Sequence, residues 1–135
     1  MSRNQGVEVE VAPLTITPGD PLAKVLLPFP VTLLSAGLAV LVTEGGKLPT
    51  GDTTMSPLNW KLKLPPGHFG LLLPLSQQAK KGVTELAAVI DSNYQDEISP
   101  LLHNRGKEEY AWNIGDPLGR LLVLPCPVIK VNGKL

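Results

Sequence analysis

The sequence has 135 residues and a mass of 14.4 kDa, the commonest size for one domain, so a single core is expected. Twelve Lys plus Arg against twelve Asp plus Glu leave no net charge, which removes the electrostatic case for a nucleic-acid polymer or an anionic membrane as partner. The one cysteine, Cys126, excludes an intrachain disulfide and with His68 and His103 cannot complete a Cys/His zinc set, so a reducing compartment without structural zinc is expected.

In chain order, the first ten residues carry Arg3, Asn4, Glu8 and Glu10 and show no apolar secretory core. Val7–Glu8–Val9–Glu10–Val11 alternates like a strand, and Thr17–Pro18–Gly19–Asp20–Pro21 closes a flexible or exchanged N-terminal arm, residues 1–22. Residues 23–135 are expected to form the domain. The weakly polar stretch Val31–Val42 is broken by Thr32, Ser35 and Gly37 and falls short of the roughly 18–20 apolar residues of a membrane span. Gly45–Gly46–Lys47 lacks the glycine spacing and the following Ser/Thr of a phosphate loop and reads as a turn. Trp60–Lys61–Leu62–Lys63–Leu64 alternates strictly, with the lysines on a wet face. Gly70–Leu73, Ala87–Ile90 and Leu121–Leu124 are continuous apolar runs expected to be buried on both faces. Gln77–Leu86 allows one helical turn before Gly82 and Val83–Thr84 interrupt it. Thirteen Gly and fourteen Pro punctuate the chain so closely that short strands are favoured over helices, and the low charged fraction, 18 %, suggests surface hidden in an oligomer.

Chemistry concentrates in Asp91–Ser92–Asn93–Tyr94–Gln95–Asp96–Glu97, where three carboxylates and a tyrosine follow an apolar strand. Such a hairpin tip suits a general base, but spacing alone favours an ordinary solvated hairpin. His68 and His103 have no Ser/Asp partner nearby and read as turn or surface residues. Ser76 precedes Gln77–Gln78 rather than sitting in a Gly-x-Ser-x-Gly elbow. Trp60 and Trp112 lack a surrounding basic patch and are expected in the core or an interface, and Cys126 is expected to pack as a small hydrophobe.

Four segments in order resemble the motifs of the dUTPase family, above all its retroviral members. Ser35–Ala36–Gly37–Leu38–Ala39 resembles the first motif and Pro74–Leu75–Ser76–Gln77–Gln78–Ala79 the second, after a similar lead-in through Leu64–Pro65–Pro66–Gly67–His68–Phe69–Gly70. Ala88–Val89–Ile90–Asp91–Ser92–Asn93–Tyr94 with Glu97–Ile98 is close to the third, and Gly115–Asp116–Pro117–Leu118–Gly119–Arg120–Leu121 resembles the fourth. The likeness runs from Val25 to Leu135 and implies an all-β fold, a jelly-roll-like distorted β-barrel, assembled as a homotrimer with the arm or Val128–Leu135 packed on a neighbouring subunit.

The resemblance also implies roles. Asp91 would activate the water that attacks the α-phosphate of dUTP, and Tyr94 would pack under the deoxyribose. Ala88, Ile90 and Ser99 fall on the segment that reads uracil largely through its main chain, while Ser76, Gln77 and Arg120 fall on the phosphate side. Mg²⁺ would be bound through phosphates and water, with no direct protein ligand. Against this pattern, Ala39 stands where the family has an Asp near the ion's water shell and Leu75 where it has a phosphate-binding Arg. Gln77 replaces a Gly, Asn93 an Asp, Asp96 a turn Gly and Arg120 a Gln, and the glycine-rich fifth motif has no counterpart. The expectation is a degenerate dUTPase-like domain of retroviral or retroelement ancestry with little or no hydrolysis, serving as a structural or protein-interaction module for an unidentified partner. The alternatives are an active dUTP diphosphatase with Asp91 as base, and binding of dUTP or dUMP without turnover. The expected location is the cytoplasm or nucleus, or a virion if the domain is cut from a polyprotein.

Overall fold

A computed structural model describes residues 11–32, 35–86 and 88–135. Their elements are β1 (Thr15–Pro18), α1 (Pro21–Val25), β2 (Leu38–Leu41), β3 (Gly46–Leu48), β4 (Thr53–Met55), β5 (Trp60–Lys63), β6 (His68–Leu73), α2 (Ser76–Lys80), β7 (Val83–Leu86), β8 (Val89–Ile90), β9 (Leu101–Asn104), β10 (Tyr110–Trp112) and β11 (Pro117–Pro125). The all-β expectation holds: the two helices have five residues each. Every pairing among the described strands is antiparallel, in a four-stranded sheet ordered β2-β11-β6-β8, a three-stranded sheet β4-β9-β7, and the pairs β1-β5 and β10-β3. The sheets pack without closing into one continuously hydrogen-bonded barrel.

Local chemistry accounts for the elements. In β5 the alternation buries Trp60 and Leu62 and exposes Lys61 and Lys63, as their spacing predicts. Gln78, at the third position of α2, is buried and its Oε1 accepts from Leu75 N at 2.8 Å, which fixes the single helical turn. The other helix went unread in the sequence although its signal is local. Asp20 Oδ1 accepts from Ala23 N at 2.7 Å, and Pro21 occupies a first-turn position that needs no amide hydrogen. Within the expected arm, Thr15–Pro18 lies against β5 of its own chain, with Thr17 opposite Lys61. Val7–Glu10 fall outside the described residues.

The core joins Val40, Val42, Leu48, Leu58, Trp60, Leu72, Leu102, Leu118 and Leu121, and both tryptophans are buried as expected. Three expectations need correction. Gly46 and Lys47 are strand residues, because β3 pairs with β10 and Gly46 lies against the Trp112 ring. The apolar runs are buried on one face only: Leu71, Leu73, Leu122 and Leu124 are half-exposed and Val89 is 59 % exposed, since nothing in the single chain covers their second face. Cys126 is exposed, because the chain leaves the sheet at Pro125.

Candidate functional site

The segment Asp91–Pro100 links β8 to β9, and these strands belong to different sheets. The expected hairpin is therefore a crossover loop: β8 pairs with β6, whose Gly70 lies opposite Ile90, and β9 pairs with β4 and β7. Tyr94 N donates to Asp91 O at 3.1 Å, closing a tight turn, and Tyr94 Oη donates to Glu97 O at 3.3 Å. Ile98 then anchors the loop through its own amide, which donates to Trp60 O at 3.0 Å, and its carbonyl, which accepts from Leu58 N at 3.0 Å. An apolar anchor at 3 % exposure thus holds a polar tip in water.

The residues singled out in the sequence distribute over three cavities. Ile90, Tyr94 and Ser99 line one of about 140 Å³ with Leu72, Val89, Ile98 and Pro100. It is apolar on most sides and edged by main chain, which suits a flat heterocycle. Ala88 stands behind this wall, its carbonyl accepting from Leu72 N at 2.9 Å. Asp91, exposed, lines a second cavity with His68, Ser92, Asn93 and Cys126. Ser76, Gln77 and Arg120 meet in a third, of about 310 Å³, whose other wall is Ser35, Gly37 and Ala39 with Leu75 beside the serine. Arg120 sits between Ala39 on β2 and Leu73 on β6, half-buried, with its Nε shielded from water and lacking a hydrogen-bond partner. Among the described residues it is the one cation lining that cavity. The first and third cavities share no residue.

The two histidines lie in strands rather than turns: His68 Nδ1 lies 2.9 Å from Pro66 O, and His103 Nδ1 lies 2.9 Å from Thr53 Oγ1 on the neighbouring strand. Neither hydrogen-bonds to a carboxylate among the described residues. Sequence reasoning missed Glu85, which sits inward on β7 at 9 % exposure with both carboxylate oxygens lacking hydrogen-bond partners. Burial alone pushes its pKa from 4.5 to about 7. The carboxyl lies against Gly119, where β11 bulges against β2 with φ +154; a side chain there would collide with Glu85 Oε1. The signal was present in the alternation, because an inward Val83 places residue 85 on the same face.

Comparison with known proteins identifies relatives. The family model described as dUTPase matches residues 13–134. A Homo sapiens protein, provisionally named an inactive deoxyuridine 5′-triphosphate nucleotidohydrolase-like protein, is 70 % identical over 64 residues, 47 % of this chain and 45 % of that protein. The deoxyuridine 5′-triphosphate nucleotidohydrolase of Alcanivorax borkumensis is 33 % identical over 112 residues, 78 % of this chain and 75 % of that enzyme. The Pol polyprotein of equine infectious anemia virus is 30 % identical over 89 residues, 66 % of this chain and 8 % of the polyprotein. Among solved structures, the EIAV dUTPase superposes with a TM-score of 0.77 at 24 % identity, over 87 % of this chain and 92 % of that one. The chain spans about half the length of its human relative.

Proposed function

The chain belongs to the dUTPase family, and from that premise we propose that it is a degenerate member: a dUTPase-like domain that receives a deoxyuridine nucleotide and hydrolyses it little or not at all. The observation that carries this reading is the phosphate-side cavity. Arg120 is its one cation among the described residues, Leu75 offers a hydrocarbon where the family pattern has an arginine, and Ala39 offers a methyl where it has an aspartate. An arginine that grips phosphate through two hydrogen bonds, each worth roughly 1.5–3 kcal/mol, is missing at Leu75, and its loss slows hydrolysis by roughly 10² to 10⁴.

The residues that remain suit the nucleoside end. The small cavity takes the pyrimidine against Ile90 and Ser99, with the Tyr94 ring beside the sugar. Asp91, exposed at the start of the crossover loop, is free to accept a proton from a water attacking the α-phosphorus, with pyrophosphate as the leaving group. Asp96 adds a negative charge to the same tip, which disfavours a triphosphate. The family resemblance implies magnesium bound through phosphates and water with no direct protein ligand, so what the chain could offer is a polar group to that water shell. Among the described residues no three His, Cys, Asp or Glu converge, and Ala39 brings no oxygen, so no step is assigned to the ion.

The assembly we infer is a homotrimer. Its support is that the nucleoside and phosphate cavities of one chain are separate, so a complete site needs a neighbouring copy. Half-exposed leucines on β6 and β11, and Val128, Ile129, Val131 and Leu135 at the chain end, are apolar surface suited to that contact. No described helix is long and apolar enough to cross a membrane.

Release of pyrophosphate from dUTP with Mg²⁺, measured beside the Asp91→Ala variant and with dTTP and UTP as controls, tests the reading. No turnover above the variant, in a sample with three times the 14.4 kDa chain mass by light scattering, is the expected result. Specific turnover of dUTP that vanishes in the variant establishes the active diphosphatase instead.

A further inference from the structure

A cavity of about 510 Å³, separate from the three above, lies where the end of α2 and its connection Lys81–Gly82 meet Arg105–Lys107 between β9 and β10. The connections touch backbone to backbone. Arg105 N donates to Gly82 O at 2.8 Å, and a Cβ on Gly82, whose φ is +84, would meet Gly106 N at 2.6 Å. A Cβ on Gly106 would collide with Lys81 O, so glycine is required on both sides of the contact. Asn104, wholly buried, ties down the second connection: its Nδ2 donates to Leu48 O at 2.9 Å and Glu108 O at 2.8 Å, and its Oδ1 accepts from Gly106 N at 2.8 Å.

This rigid clamp gathers Lys80, Lys81, Arg105 and Lys107, four of the twelve cations of a chain with no net charge, around one hollow. Lys81 Nζ is held 5.7 Å from the centroid of the Tyr110 ring, which fixes one cation in place. Glu108 and Glu109 also line the hollow, leaving two positive charges in excess. The proposed nucleotide reading uses none of these residues.

We propose that this cavity binds a compact polyanion of the oligophosphate class. Four cations lining one hollow match charge packed on a small anion, and phosphoryl oxygens accept from ammonium and guanidinium groups together. Because the backbone beneath is already fixed, binding orders only the cationic side chains.

The test is calorimetric titration of the full chain with inorganic tripolyphosphate at low salt and at 0.15 M salt, the latter weakening the interaction by screening. Lys81→Ala and Arg105→Ala should each weaken binding by about tenfold or more, and Arg105→Lys should restore most of it. Arg120→Ala, in the phosphate-side cavity of the nucleotide site, reports whether the anion sits there instead, and dUMP binding should be the same in the clamp variants as in the parent, so the two readings fail independently. Adenosine triphosphate serves as a second probe for a nucleotide tail, and affinity equal to that of tripolyphosphate supports recognition of the phosphate chain alone. The proposal is overturned by absent binding at low salt, by clamp variants that bind like the parent, by loss of binding in Arg120→Ala, or by adenosine triphosphate binding more than tenfold tighter.

Discussion

Glu85 makes the stability of this domain depend on pH in a window that can be stated in advance. An unfolded glutamate ionises near 4.5, whereas in the fold burial holds the proton on Glu85 up to about 7. Between these values the native state binds the extra proton, so stability is fully present below pH 4.5 and falls as pH rises through about 7. At about 1.4 kcal/mol for each pK step, the loss amounts to about 3 kcal/mol, or roughly 10 °C in Tm for a domain of this size. Glu85→Gln keeps the shape and removes the titration. Urea or thermal denaturation of both proteins at pH 5, 6, 7 and 8 should show the variant gaining about 3 kcal/mol on the parent between the acid and alkaline ends. Parallel curves across that range would refute the reasoning, because they would mean that Glu85 is ionised in the folded chain through contact with water or a cation.

Three further outcomes follow from other residues. Asn104→Ala leaves Leu48 O and Glu108 O without their donor and should cost about 2–3 kcal/mol in urea denaturation. Asp20→Ala removes the side-chain acceptor for Ala23 N and should cost about 1 kcal/mol, with the midpoint lowered and the denaturant slope unchanged. Tyr94→Ala strips the aromatic wall shared by the nucleoside cavity and the loop tip and should weaken dUMP binding by about tenfold or more in calorimetry; unchanged affinity would remove the nucleoside from that cavity.

What the sequence determined by itself was local. The Trp60–Lys63 alternation set which side of β5 is wet, closely spaced Pro and Gly limited the chain to short strands, and Asp20–Pro21 started a helix, because side-chain period, ring closure and capping act within a few residues. The order of the four motif-like segments gave the family, since it rests on residue identity alone. Tertiary structure decided what depends on neighbours distant in the chain. It made the Asp91–Pro100 segment a crossover between sheets, divided Tyr94, Asp91 and Arg120 among separate cavities, and put Glu85 in a dry interior beside Gly119 while leaving Leu86 41 % exposed. Alternation says only that residues 83 and 85 share a face. Which face is dry depends on the strands that pack against it, and in β7 the surrounding core buries a carboxylate that its own five-residue neighbourhood would assign to water.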